Sequence, residues 1–233
     1  MAEKFDLMTI IEAACKLPMV RVDREKFLSE QFRASKYDDK RNTILREGTI
    51  YAGVTKQEIE TIAKKCIKFE TTKVTAISAA AGIPGGAAML GTVPGDLAQF
   101  YAHVFRVMQE LMYLYGWDDI GTMDDGTKNI LIIFLGVMFG VNGAEKALGN
   151  ICKCTANRAV KAIAAKALTK GTLYPIVKKI ATTLGIKMTK DIFAKGVAKS
   201  IPVIGAVFSG GLTLATFRPM CGRLLRSMSE NHF

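Results

Sequence analysis

The residues of this chain that could do chemistry fall on one predicted helix, over residues 94–115. Projection at 100° per residue places its polar side chains in a single arc: Asp96, Gln99, His103, Arg106, Gln109 and Glu110. A histidine beside carboxylates and an arginine can transfer a proton or bind a polar ligand. Asp96, His103, Arg106 and Glu110 are therefore the candidate catalytic residues.

A simpler interpretation of the same arc is favoured. Apolar residues occupy the opposite side of the helix, and no hydroxyl or thiol nucleophile is tied by its spacing to His103. We therefore expect the arc to be the solvent-facing side of an amphipathic helix. The sequence favours a protein that is not an enzyme, and an enzyme with a site around Asp96 and His103 stays open as an alternative.

The cysteines and aspartates predict no metal site and no cofactor. The 5 cysteines are an odd number without framework spacing, which is typical of reduced, mostly buried thiols. Cys152 and Cys154 lack a second ligand pair, and His103 and His232 are remote in sequence. The aspartates of 118–125 lack the alternating spacing of a calcium loop and are expected to cap the next helix.

The net charge of +11 is distributed unevenly along the chain. Residues 1–144 contain 17 basic and 18 acidic residues, whereas residues 145–233 contain 15 basic and 3 acidic residues. This asymmetry indicates an anionic partner, either a phospholipid surface or a nucleic acid, unless the lysines only solubilise an apolar helical half. We expect no specific nucleic acid, because the lysines are not interleaved with aromatic residues. The basic residues expected to contact lipid or a partner are Lys153, Arg158, Lys161, Lys166, Lys178 and Lys179.

Three uncharged stretches stand out, at residues 74–95, 129–144 and 200–217. Pro84 interrupts the first, so that stretch cannot be one straight membrane-spanning helix. We expect the corner formed by Ile83, Pro84, Gly85 and Gly86 to pack in the protein or to face lipid or a membrane partner. Gly136 and Gly140 form a GxxxG pair, which predicts one flat helix face for a neighbouring backbone. Close helix packing is also predicted at Pro202, Gly205, Gly210 and Gly211.

The periodicity predicts an all-α fold, a single multi-helix bundle with apolar core helices interrupted by glycine and proline. Residues 5–16 and 24–46 are predicted amphipathic helices. Thr55 and Glu58 form a capping box that opens a helix to about Gly82. We expect residues 1–54 to be an N-terminal helical extension and residues 55–233 to be the main helical domain.

Two segments resemble the EcsC family. They are GIPGGAAMLGTVPGDLAQFYAHVFRVMQELMYLYGW at 82–117 and IPVIGAVFSGGLTLATFRPMCGRLLRSM at 201–228, in the order in which the family has them. The resemblance covers roughly residues 55–228, and it implies no catalytic role for any motif residue, because the family has no assigned activity. The motif positions are Pro84, Gly85, Gly86, Pro94, Asp96, Gln99, Tyr115, Gly116, Pro202, Gly205, Gly210, Gly211 and Pro219.

Charge and resemblance together predict a non-enzymatic helical accessory protein in the bacterial cytoplasm. We expect it to associate peripherally with an anionic membrane surface or with a membrane protein partner. Two alternatives stay open: an enzyme of unknown reaction around Asp96 and His103, and a non-specific nucleic-acid binding protein that uses its basic C-terminal half.

Overall fold

The structure is a computed structural model. It describes Ala14 and residues 17–81, 95–119, 125–152, 170–183 and 210–232. These residues form α-helices and one 3-10 turn without any strand, which confirms the predicted all-α fold. The helices are α1 (Arg24–Gln31), α2 (Arg41–Glu47), α3 (Lys56–Ala81), α4 (Gly95–Leu114), α5 (Asp125–Met138), α6 (Ala144–Cys152), α7 (Lys170–Thr183) and α8 (Gly210–His232), with the 3-10 turn at Ser35–Tyr37.

Local hydrogen bonds fix the start of α3 and the end of α4. At the start of α3 the Thr55 amide donates to the Glu58 carboxylate at 3.1 Å, and the Glu58 amide donates to the Thr55 hydroxyl at 3.3 Å. At the end of α4, Gly116 has a φ of 80°, and the Trp117 amide donates back to the Met112 carbonyl at 2.9 Å. The predicted capping box is therefore confirmed.

The prediction of one helix over residues 24–46 is wrong, because α1 and α2 are separate. The chain bends between them so that the Phe32 and Tyr37 rings, both buried, meet edge to face at 5.0 Å. Asp23 caps α1 by accepting from the Lys26 amide at 2.9 Å. Burial of two aromatic rings outweighs the local preference for a continuous helix.

Three helices form the centre of the bundle. Phe100 of α4 packs edge to face on Phe217 of α8, and Tyr115, just after α4, lies beside Ser229 of α8. These two helices therefore run in the same direction. The helix α3 runs against both, because Glu60 near its start contacts Ser229 and Glu70 near its middle contacts α4. The buried α5 packs behind α8 and also contacts α6 and α7.

The two glycines of the predicted GxxxG pair do different things. A Cβ on Gly136 of α5 would lie 2.6 Å from Ile176 of α7 and 2.9 Å from Ala144 of α6, so this glycine lets three helices approach closely. Gly140 is exposed, has a φ of 66° and lies beyond the end of α5. The expectation of one flat helix face containing both is therefore wrong, since Gly140 follows the end of the helix instead of extending its packing face.

Candidate functional site

The polar arc of α4 is not the solvent-facing side that the sequence predicted. His103 is 0% exposed, Glu110 is 5% exposed and Gln109 is 6% exposed. The arc faces α3, where the buried Glu70 meets it, and the N-terminal segment Met19–Val22 covers it. Asp96 lies in the first turn of α4, and its side chain is not among those described.

Glu70 is the centre of a buried polar cluster that also contains His103, Arg106 and Glu110. One carboxylate oxygen of Glu70 lies 2.6 Å from Nδ1 of His103, and the other accepts from Nε of Arg106 at 3.2 Å and from Lys73 at 3.4 Å. Burial raises the pKa of Glu70, but the His103 hydrogen bond and the Arg106 charge outweigh it, so the pKa is lowered overall. Glu70 is therefore the ionised acid of the polar cluster.

Glu110 is the second carboxyl group of the polar cluster, and its environment differs. Its Oε1 lies 3.6 Å from the Arg106 guanidinium, whereas its Oε2 is buried without a hydrogen-bond partner among the described residues. Burial, followed by repulsion from Glu70, raises the pKa of Glu110 to about 8. At neutral pH Glu110 is therefore mostly protonated, which leaves Glu70 as the charged partner of Arg106.

The polar cluster holds groups that could catalyse proton transfer, but they are enclosed. Because the Glu70 carboxylate accepts from Nδ1 of His103, the second ring nitrogen Nε2 is the one available to a substrate. That nitrogen is buried and has no partner in the part of the chain that the structure describes. The neighbouring thiol of Cys66 is also unreactive, because burial raises its pKa to about 12.

The polar arc of α4 instead holds the N-terminal segment Met19–Val22 in place. The Gln109 side-chain amide donates to the Val20 carbonyl at 2.9 Å, and its carbonyl accepts from the Val22 amide at 3.1 Å. Arg106 donates to the Met19 carbonyl at 2.6 Å. These hydrogen bonds satisfy backbone groups that would otherwise be buried without partners. The polar arc of α4 therefore has a structural role.

A second site lies on the surface, in a groove of about 660 Å³ between α3 and α8. Ile67, Gly222 and Leu225 provide its apolar floor, and Glu60 and Glu230 are its carboxylates. We call it the cationic groove, because basic side chains of both helices line it: Lys56, Lys64, Lys65, Lys68, Arg218 and Arg226.

Basic side chains outnumber carboxylates among the described residues that line the cationic groove. Glu60 accepts from Ser229 at 2.6 Å and lies 3.6 Å from Lys64; the Ser229 hydrogen bond is the main cause of its lowered pKa. By contrast, Lys65, Lys68, Arg218 and Arg226 form no ion pair with any described residue. A groove lined by six basic and two acidic side chains attracts anions.

The residues that line the cationic groove are not those that the sequence predicted as contacts for lipid or a partner. Lys178 and Lys179 are exposed on α7. Ile83, Pro84, Gly85 and Gly86 lie outside the described residues, as do Lys153, Arg158, Lys161, Lys166, Pro202 and Gly205, whereas Gly210 and Gly211 form the start of α8. The i, i+4 spacing of Lys64 and Lys68 was visible in the sequence, but the packing of α3 on α8 was not.

Two further properties bear on what the protein can do. Among the described residues, no helix combines the length and the apolar character needed to cross a bilayer. Within the same residues, no group of three or more His, Cys, Asp or Glu side chains is placed to hold a metal ion. The cysteines described, Cys66, Cys152 and Cys221, are buried thiols.

In comparisons with known proteins, no protein-family model, no curated protein and no solved structure matches this chain. The resemblance to the EcsC family therefore stays a prediction. Of the segments that carry it, residues 95–117 form α4 and the turn that follows it, and residues 210–228 lie in α8.

Proposed function

We propose that this protein associates peripherally with an anionic membrane surface through the face formed by α3 and α8. The observation that carries the proposal is the convergence of basic side chains from both helices on one groove, four of them without an ion pair among the described residues. Each lysine or arginine near an anionic lipid surface contributes about 1 kcal/mol of attraction. The face is therefore suited to a surface of negative headgroups.

An exposed aromatic ring on α3 supports a lipid surface in particular. Phe69 is 60% exposed, although most large apolar side chains of the described residues are buried. It directly follows Lys68 and lies one helical turn from Lys65, and the Lys73 ammonium sits 4.1 Å from its ring centre. An aromatic ring among lysines is typical of helices that rest at the boundary between headgroups and acyl chains.

The two alternatives from the sequence have less support. An enzyme centred on His103 would need an accessible reactive group, and Nε2 of His103 is buried. A nucleic-acid binding surface would need cations and stacking rings, but it has no use for the apolar floor made by Ile67 and Leu225. We therefore favour lipid over nucleic acid as the anionic partner.

The proposal is tested by vesicle flotation with the full chain. We expect the protein to float with vesicles that contain phosphatidylglycerol, to stay behind with pure phosphatidylcholine, and to be released at high salt because exposed charges are screened. Failure to bind phosphatidylglycerol vesicles at low salt would contradict the proposal. Preferential binding to an oligonucleotide under the same conditions would favour the nucleic-acid alternative.

Two matched double variants locate the contact. Lys65→Gln with Lys68→Gln removes two charges from the α3–α8 face, and Lys178→Gln with Lys179→Gln removes the same charge from α7. We expect the first pair to weaken vesicle binding roughly 30-fold, from about 1 kcal/mol for each lysine. The second pair should change binding by much less, and equal losses would show that net charge and not this face decides the binding.

A further inference from the structure

We infer that the cationic groove is a binding site for one molecule of an anionic phospholipid, with its phosphate among the cations and an acyl chain along the apolar floor. The inference rests on the proposed function and deepens it, because a flat basic surface would attract a membrane without holding any single lipid. The size and the lining of the groove, its Gly222, and the unequal charge of its two ends support the inference.

The size and the lining of the groove fit an amphiphile. Its volume of about 660 Å³ lies within the range of small-molecule sites, which is roughly 300–1,000 Å³. Ile67 and Leu225 form a floor that a hydrocarbon chain can cover, and basic side chains form the rim. A free phosphate would use the rim but not the floor, whereas a phospholipid uses both.

Gly222 in the floor has no structural reason to be a glycine. In the interior of a helix a glycine destabilises the fold relative to alanine. A Cβ on Gly222 would meet no atom of the described residues within 4 Å, and its φ lies outside the left-handed region. The fold would therefore accept a side chain here, and the glycine instead keeps the floor open where a ligand can approach the backbone of α8.

The two ends of the groove differ in charge, which sets the direction of the lipid. Because α3 and α8 run in opposite directions, Glu60 and Glu230 lie at the end near Ser229. Lys68 is eight residues further along α3, about 12 Å at 1.5 Å per residue, and it shares the other end with Arg218. The structure describes no carboxylate lining that end, so the phosphate binds there.

The arginine at that end suits a phosphate group. A guanidinium offers a planar pair of donors that can bind two phosphate oxygens together, and a lysine adds a point charge with flexible reach. Arg218 and Lys68 are both exposed, so a headgroup can reach them from solvent. The chain of the lipid then lies over Gly222 and Leu225 towards Ser229.

The inference is tested with a lipid that stays monomeric in water, dihexanoyl phosphatidic acid, titrated into the full chain by calorimetry. We expect binding at one molecule per chain, with much weaker binding of glycerol 3-phosphate, which lacks the chains, and of dihexanoyl phosphatidylcholine, which lacks the net charge. Equal binding of glycerol 3-phosphate would overturn the inference, because the apolar floor would then contribute nothing.

Gly222→Phe is the decisive variant, because it fills the floor without changing any charge. We expect it to weaken dihexanoyl phosphatidic acid binding about tenfold or more, from the lost apolar contacts. Gly222→Ala adds only a methyl group and should weaken binding less than Gly222→Phe does. Lys178→Gln with Lys179→Gln on α7, which leaves the groove unchanged, is the control and should bind as wild type does. Thermal unfolding of each variant shows whether it is folded at the temperature of the titration.

The outcomes separate the inference from the proposed function. Equal binding of the short-chain lipid by wild type and Gly222→Phe, or no binding by wild type, would overturn the lipid site, even if phosphatidylglycerol vesicles still bind. Binding of the short-chain lipid without any binding of vesicles would overturn the proposed membrane association and leave the lipid site in place.

Discussion

The helix α3 contributes residues to both the polar cluster and the cationic groove. The two regions differ in whether their charged side chains are neutralised by neighbours. Facing α4, Glu70 of α3 is fully buried and surrounded by His103, Arg106 and Lys73. Facing α8, Lys65 and Lys68 of α3 are exposed and have no ion pair among the described residues. The fold compensates the charges that it buries. The basic side chains of the groove that lack an ion pair among the described residues are the ones that we propose bind an anionic surface.

The glycines of the bundle repeat this contrast. A Cβ on Gly136 would collide with Ile176, and a Cβ on Gly149 would lie 2.5 Å from the side chain of Asn231. Helix packing therefore favours a glycine at position 136, and a side chain at position 149 would displace the Asn231 amide. Gly222, which lines the cationic groove, differs, since a Cβ there would meet no atom of the described residues within 4 Å.

The largest effect is expected from Glu70→Gln, which removes the buried charge at the centre of the polar cluster. Breaking a buried ion pair by removing one partner typically destabilises a protein by about 3–5 kcal/mol. We expect a loss of this size in the free energy of unfolding, measured by urea denaturation. Vesicle binding should be retained under conditions where the variant is folded.

Glu30→Gln is the matched control, because Glu30 is exposed on α1. A change of this kind at the surface usually stays within about 0.5 kcal/mol. If both variants lost the same stability, the polar cluster would have no special role in holding α3 to α4.

The next effect is a pH dependence carried by Glu110. Its pKa is raised from 4.5 to about 8 in the folded protein, so the folded state binds this proton more tightly than the unfolded state does. The corresponding stability is fully present below pH 4.5 and is lost as the pH rises through about 8. At about 1.4 kcal/mol per pKa unit, the loss between pH 5 and pH 8 reaches up to about 4 kcal/mol.

Glu110→Gln isolates that contribution, since glutamine has the same shape and does not titrate. We expect the difference in unfolding free energy between Glu110→Gln and wild type to grow in favour of the variant from pH 5 to pH 8. A constant difference across this interval would mean that Glu110 titrates as an ordinary exposed acid.

The smallest effect is expected at the floor of the cationic groove. Gly222→Ala should raise the unfolding free energy by about 0.4–1 kcal/mol, because it restricts the unfolded chain at a helical position with room for a methyl group. Gly136→Ala should do the opposite, because its methyl group would meet Ile176. A destabilised Gly222→Ala would show that the fold does need this glycine.

Local sequence signals were enough for much of the fold. The capping box at Thr55 and Glu58 predicted the start of α3. The helical periodicity of polar and apolar residues in 94–115 predicted the extent of α4. These features depend on neighbours along one helix. The break between α1 and α2 was missed, because it depends on two aromatic rings reaching the same part of the core.

The candidate site depended on contacts between distant parts of the chain, which no local pattern encodes. The arc of α4 was interpreted as solvent-facing because its partner, Glu70, lies 33 residues before His103 in a helix that otherwise looks amphipathic. The cationic groove joins Lys68 to Arg218, which lies far along the chain. The net charge of residues 1–144 gave no sign of the lysines of α3, because these residues are nearly neutral as a whole.

The most direct test of the central claim measures stability and lipid binding side by side on two variants of the same helix, Glu70→Gln and the pair Lys65→Gln with Lys68→Gln. The account predicts that the first loses unfolding free energy and keeps vesicle binding, while the second keeps stability and loses vesicle binding. The opposite pattern, or both properties falling together in each variant, would contradict the division of α3 into a structural face and a binding face.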